Sequence, residues 1–183
     1  MVDKHLSRQR ITVNGEDFLN PTLQFLLDQS AIRDVHVRYC RGIDRMNWDL
    51  VRSCYHPDAT DDHGGYVGGV EGFITWAKLL LAEFESTTHF TGNQLVEIDG
   101  DIAWAEHYAR AYHRRPARSG TPAIDLVANV RYVDRMERRR GEWRIAKRVL
   151  TVDSDRADPV FELYVGDNLK RSRRDREDPS YRR

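Results

Sequence analysis

Several residues in this chain are of types that move protons, and one stands where packing alone would not put it. Ile32, Val35, Tyr39 and Ile43 recur at three- and four-residue spacing, the period of one helix face. Val37, Cys40 and Asp44 recur at the same spacing on the adjoining face. Asp44 therefore closes an otherwise apolar stripe. A carboxylate turned toward a core is costly unless it is paired or hydrogen-bonded. Either the chain supplies a partner, or Asp44 turns to water, capping the helix or pairing with Arg41. The bases on offer are His63, which follows Asp61-Asp62 and precedes two glycines, His89 in Thr-Thr-His-Phe, and His107 and His113 in an alternating stretch. An imidazole, with an intrinsic pKa of roughly 6.5, is a competent base at neutral pH. A carboxylate on one ring nitrogen sets the tautomer and stabilises the imidazolium formed on proton uptake. Such a pair suits proton abstraction from a carbon beside a carbonyl or a leaving group. The residues alone equally fit a plain reading, in which Asp44 ends a helix and each histidine is a satisfied strand or turn residue.

Other chemistries find less support. Asp61, Asp62, His63, His89, His107 and His113 are metal-ligand types, but no H-x-x-x-H or equivalent spacing occurs, so no metal is expected. Gly68-Gly69 with Gly72 lacks the preceding strand and the Lys-Ser/Thr of a phosphate loop. There is no Gly-x-Ser-x-Gly elbow. The two cysteines, Cys40 and Cys54, make neither a disulfide framework nor a zinc pattern. Cys40 reads as a small hydrophobe on the apolar side of a helix.

The elements that must position these residues follow from periodicity. Residues 1–20 are polar and aperiodic, an arm with a turn signal at Asn14-Gly15 and a helix start at Asn20-Pro21. A long helix is expected from Pro21 to Arg45. A short one follows, with Asn47 as N-cap, carrying Leu50, Val51 and Cys54 inward and ending at His56-Pro57. Asp58 to His63 reads as a strand and Tyr66-Val67 as a further extended piece. Val70 to Phe84 is a third helix, with Phe73, Ile74, Ala77, Leu80, Leu81 and Phe84 at helical spacing. The period then changes to alternation. Strands are expected over Thr87–Ile98, Ile102–His113, Ile124–Arg138 and Trp143–Asp153, with hairpin turns at Asp99-Gly100-Asp101 and Arg139-Arg140-Gly141-Glu142. The second of these strands puts Ala103, Ala105, His107, Ala109, Ala111 and His113 on one side. Three helices followed by antiparallel strands make an α+β layout, with the helices on one face of a curved sheet. The charged end, residues 156–183, reads as a solvated and partly disordered extension.

The whole of 183 residues fits one domain of 21–155 between these ends, with 40% apolar and 32% charged residues. Lys+Arg and Asp+Glu balance at 29 each, so charge suggests no nucleic-acid or anionic-membrane partner. The N-terminus lacks a signal-peptide core and no run approaches membrane-spanning length, which makes the cytoplasm the expected compartment.

With this element order and the run Ile-Asp-Arg-Met-Asn-Trp-Asp in view, the chain from about Leu23 to Asp153 resembles the nuclear-transport-factor-2-like superfamily. Within it, the likeness is to SnoaL-like proteins and scytalone dehydratase. The resemblance implies a cone-shaped barrel of strongly curved, mixed or antiparallel sheet, with three N-terminal helices enclosing a pocket. It also implies a dimer or trimer. Asp44 matches the family's dehydratase acid at the end of the first helix, and His89 in Thr-Thr-His-Phe-Thr-Gly-Asn matches the histidine that pairs with it. Tyr39, five residues before Asp44, sits where the bile-acid dehydratases place a catalytic tyrosine. His113 lies near a second histidine of scytalone dehydratase. His63 falls where that enzyme has a substrate-contacting tyrosine, and Ile43 replaces the tyrosine before its acid. Catalytic candidates are therefore Asp44, His89, Tyr39 and His113, with His63, Trp48 and Phe90 as substrate contacts. The implied activity is a lyase-type elimination or an isomerisation on a small apolar or cyclic molecule, with no cofactor. A non-catalytic pocket protein and an aromatic-ring dioxygenase small subunit share the fold and are the alternatives.

Overall fold

A computed structural model of the protein describes residues 10–13, 16–19, 23–161, 166 and 168–182. The expected arm is described only at two short strands, β1 (Arg10–Val13) and β2 (Glu16–Leu19), which pair antiparallel. The turn signal at Asn14-Gly15 and the helix start at Asn20-Pro21 lie outside the described residues.

Helix α1 (Leu23–Asp44) buries Ile32, Val35, Tyr39 and Ile43, as the spacing requires. On the adjoining face Cys40 and Asp44 are buried, but Val37 is 53% exposed. At ~100° per residue Val37 lies about 200° round the helix from Val35, on the far side from the core. The helix ends in a left-handed closure. Met46 has φ 49°, and the Asn47 N–H donates to the Gly42 carbonyl at 2.8 Å. This stop leaves Asp44 in the last turn. Asn47 then caps α2 (Trp48–Ser53), its side chain accepting from the Leu50 N–H at 3.2 Å. The two helices meet at Gly42, where a Cβ would stand 2.7 Å from Val51 Cγ2. Helix α3 (Val70–Leu81) turns Phe73, Ile74, Ala77 and Leu81 to the core, while Leu80 remains largely exposed.

Six strands follow: β3 (Tyr55–Asp62), β4 (Val67–Gly69), β5 (Ser86–Asp99), β6 (Ile102–Arg115), β7 (Ala123–Arg139) and β8 (Glu142–Val160). They form one mixed sheet in the order β4-β3-β8-β7-β6-β5, in which only β3 and β8 run parallel. The expected barrel is not closed, because β4 and β5 are free edges; the fold is an open α+β cone. Register shifts in β5, β7 and β8 mark the bulges that bend long strands. In β6 the alternation is followed closely, with Ala103, Ala105, His107, Ala109 and Ala111 buried, and Trp104, Tyr108 and Arg110 exposed. At the β7–β8 hairpin Arg140 and Gly141 both have positive φ, 53° and 81°, matching a tight primed turn.

Strand β3 begins at Tyr55, three residues before the sequence reading, because the short helix ends at Ser53 rather than at His56-Pro57. Strand β8 runs past Asp153 to Val160, paired along its last stretch with residues 123–129 of β7. The charged end also makes contacts. Arg174 donates to the Leu81 and Phe84 carbonyls at 2.8 and 2.6 Å, satisfying open acceptors past α3. Asn47 Nδ2 donates to the Tyr181 hydroxyl at 3.3 Å, and Arg41 turns to Ser180 and Tyr181 instead of pairing with Asp44.

Candidate active site

Asp44 has its partner. Oδ1 accepts from His89 Nδ1 at 2.7 Å and from Thr87 Oγ1 at 3.0 Å, while Oδ2 accepts the His89 backbone N–H at 2.9 Å. Three donors from one strand thus clamp the acid from α1 to β5, which resolves the burial problem set by the sequence. Because Asp44 can only accept, Nδ1 of His89 carries a proton and Nε2 is left for the space beyond. That space is a cavity of ≈ 190 Å³. Ile43, Trp76, Ala77, Leu81, Val130 and Leu150 are among its apolar walls, and Tyr39, His63, His89, His113 and Tyr132 are its polar ones.

His113 stands edge-on to His89, with ring centroids 5.3 Å apart. Burial first, then the neighbouring His89 ring, lowers its pKa to about 4. It is a neutral ring at neutral pH, able to donate or accept a hydrogen bond but not to deliver a proton as an imidazolium. Burial raises the Tyr39 phenol far above its ordinary range, so it stays an O–H donor. Its oxygen lies 3.4 Å from His63 Nε2. His63 in turn is bonded through Nδ1 to Asp61 Oδ1, and Asp61 Oδ2 accepts from the Tyr55 hydroxyl at 2.6 Å.

The sequence candidates therefore divide. Asp44, His89, Tyr39, His113 and His63 converge on one cavity, whose walls none of the short motifs could announce. Trp48 and Phe90 do not. Trp48 lines a separate groove with Lys78 above its ring at 5.8 Å. Phe90 is 71% exposed, because strand alternation turns it away from the face that His89 occupies. Sequence reasoning missed Asp61 as a partner. The signal was the alternation Ala59, Asp61, His63 in a stretch read as a strand, which turns Asp61 and His63 the same way.

A second Asp/His cluster lies in the core. Asp134 accepts from Arg148 Nε and Nη2 at 2.8 and 2.7 Å and bonds His36 Nε2 at 2.6 Å, while His36 Nδ1 faces the Ile32 carbonyl at 3.1 Å. The Arg148 guanidinium lies over the rings of Tyr39 and Tyr132 at 4.2 and 4.4 Å. Ligand atoms of His36, His107 and Asp134 lie within 4.8 Å of one another, the one such set among the described residues. A fixed positive charge already holds both oxygens of Asp134, so the set reads as an ion-pair network rather than a cation site. No helix among the described residues is long and apolar enough to cross a membrane.

A six-stranded cone packed on three helices, with an Asp–His pair at the end of the first helix, defines a protein of the nuclear-transport-factor-2-like class. The SnoaL-like domain model matches residues 24–149, and the chain belongs to that family. Solved structures agree in fold. Kfla4162 from Kribbella flavida is 21% identical over 72% of this chain and 94% of its own, with a TM-score of 0.66. The type 3 hexachlorocyclohexane dehydrochlorinase of Novosphingobium barchaimii is 18% identical over 79% and 99%, at 0.69. A proposed scytalone dehydratase from Novosphingobium aromaticivorans is 16% identical over 79% and 97%, at 0.65. No functionally curated protein shows significant similarity to the sequence.

Proposed function

We propose that the protein is a cofactor-independent lyase or isomerase acting on a small, largely apolar, cyclic organic molecule. His89 removes a proton from carbon and Asp44 orients the ring and stabilises its cation. The observation that carries this reading is the 2.7 Å Asp44–His89 bond opening on an apolar cavity. A base must lie within reach of the carbon acid, and Nε2 of His89 is the ring nitrogen that the carboxylate leaves free. Family membership, and similarity in fold to a dehydrochlorinase and a proposed dehydratase, support elimination as the reaction type. Tyr39, His63 and His113 act on the leaving group or the carbonyl. The neutral state of His113 suits it to donating a hydrogen bond to a carbonyl oxygen.

The test is turnover of a panel of hydroxylated and halogenated cyclic compounds by the protein and by His89→Ala. Loss of a general base is expected to lower turnover by about 10²-fold or more. A His89→Ala variant that stays folded and active would sink the reading. Tight binding of a panel member without turnover would favour a ligand-binding role for the same cavity.

A further inference from the structure

The cavity contains a second acid–histidine pair, which has not been given a task of its own. Asp61 is the last buried residue of β3, and His63 follows directly after the strand's end. Asp61 is fully buried, and its two oxygens are taken by the Tyr55 hydroxyl and the His63 ring. The His63 side chain is 11% exposed and lines the cavity. The arrangement resembles the first pair, in which an acid sealed behind protein donors holds a ring, but here the other ring nitrogen meets the Tyr39 hydroxyl at the cavity wall. Burying a carboxylate merely to fill volume is an expensive choice, because apolar residues of that size fill it at no desolvation penalty. Beside His63 Nε2 stands the Tyr39 hydroxyl, at 3.4 Å. That contact is long for a hydrogen bond, and it places two donors next to each other on one wall.

An elimination needs a second group only when its leaving group is a poor one. Chloride departs as a stable anion. Hydroxide does not, and it leaves readily only if it is protonated as the carbon–oxygen bond breaks. A cavity with a base on one wall and a separately supported histidine on another suits the loss of water.

Resting on the assignment of His89 as base, we propose that His63 is the catalytic acid for a hydroxyl leaving group and that Asp61 is its positioning residue. His89 Nε2 takes the proton from the carbon beside the carbonyl. The carbon–hydrogen electron pair becomes the new carbon–carbon double bond as the carbon–oxygen bond breaks. The departing oxygen takes the proton carried on His63 Nε2 and leaves as water, with the Tyr39 hydroxyl donating to the same oxygen. His89 is left protonated and His63 deprotonated, and one proton exchanged through solvent restores both.

The test uses 3-hydroxycyclohexanone and 3-chlorocyclohexanone, which give the same enone by loss of water or of HCl. Enone absorbance is followed with uncatalysed loss subtracted, and deuterium exchange beside the carbonyl of cyclohexanone is followed by NMR. The informative quantity is the ratio of the two elimination rates, because damage to folding or binding lowers both together. In His63→Gln and in Asp61→Asn the hydroxy-to-chloro ratio is expected to fall by about 10²-fold. In His89→Ala both rates fall together. A ratio unchanged in His63→Gln overturns the assignment of the acid, as does a native protein that exchanges the ketone's protons but eliminates neither probe. A native protein that does not even exchange them overturns the base, and this proposal with it.

Discussion

Two clusters of the interior share an acid and two histidines, and they differ in what surrounds them. Around Asp44, an acid and two histidines border a cavity. Around Asp134, an acid and two histidines are sealed, with Arg148 at 0% exposure and His36 and His107 at 2%. In the first, hydrogen bonds satisfy the acid from one side and leave a ring nitrogen facing open space. In the second, every oxygen of Asp134 is engaged, and the charge is balanced inside the protein by Arg148. Identical side chains thus border open space in one place and are sealed in the other, and the proposed function makes the first set reactive and the second structural. Access to a cavity decides which, because a proton can be exchanged only with something that can arrive.

The largest effect should come from breaking the sealed cluster. Arg148→Met leaves Asp134 buried beside His36 without its cation, and loss of one partner of a buried pair costs about 3–5 kcal/mol. For a domain of this size that corresponds to a fall in melting temperature of about 6–20 °C, read by calorimetry. The double variant Arg148→Met/Asp134→Leu should recover most of the loss. If Arg148→Met melts with the native protein, the cluster is not the structural one.

At the cavity the balance should be reversed. His89→Ala, whose turnover is the test above, leaves Asp44 with Thr87 and a backbone N–H. Its stability should therefore change by about 2 kcal/mol, the size of one hydrogen bond to a charged group. A loss as large as that of Arg148→Met would erase the distinction between the two clusters.

Acid should act on both clusters. Burial first, then His36, lowers the His107 pKa to about 2, and that of His113 is held at about 4. As pH falls below about 6.5 the unfolded chain binds protons at these rings while the native state does not. Stability is therefore lost on acidification, by up to ~1.4 kcal/mol per pH unit for each ring, down to about pH 4 for His113 and about pH 2 for the deeply buried His107. Urea unfolding at pH 7.5, 6.0 and 5.0 reads the slope, which should be shallower in His107→Gln. The smallest effect belongs to Phe90. It follows His89 directly but faces outward, so Phe90→Ala should leave turnover unchanged and shift stability by no more than about 0.5 kcal/mol. A drop in turnover comparable to that of His89→Ala would place Phe90 at the reaction after all.

Much of this was legible in the chain, for a physical reason. Periodicity is local, and local geometry sets which side of a helix or strand a residue occupies. The stripe Ile32, Val35, Tyr39, Ile43, the misplaced acid at its end and the alternation through His113 could all be read from spacing. So could the order of helices before strands and the family they resemble. Trp48 and Phe90 lie off the cavity, because nearness in sequence to Asp44 and His89 says nothing about which face they occupy. Asp61 was overlooked because the alternation Ala59, Asp61, His63 was not followed to its end.

What only the tertiary structure decided is who meets whom. The sequence by itself determined that Asp44 must either find a partner or turn to water, since a buried carboxylate must be satisfied wherever it lies. The fold decided that Thr87 and His89, more than forty residues away, close on it, and that a cavity opens beside them. It also decided that His107, of the same strand and face as His113, is walled into the core. Periodicity orients a side chain, but empty space is bounded by many segments at once, and no stretch of sequence contains it.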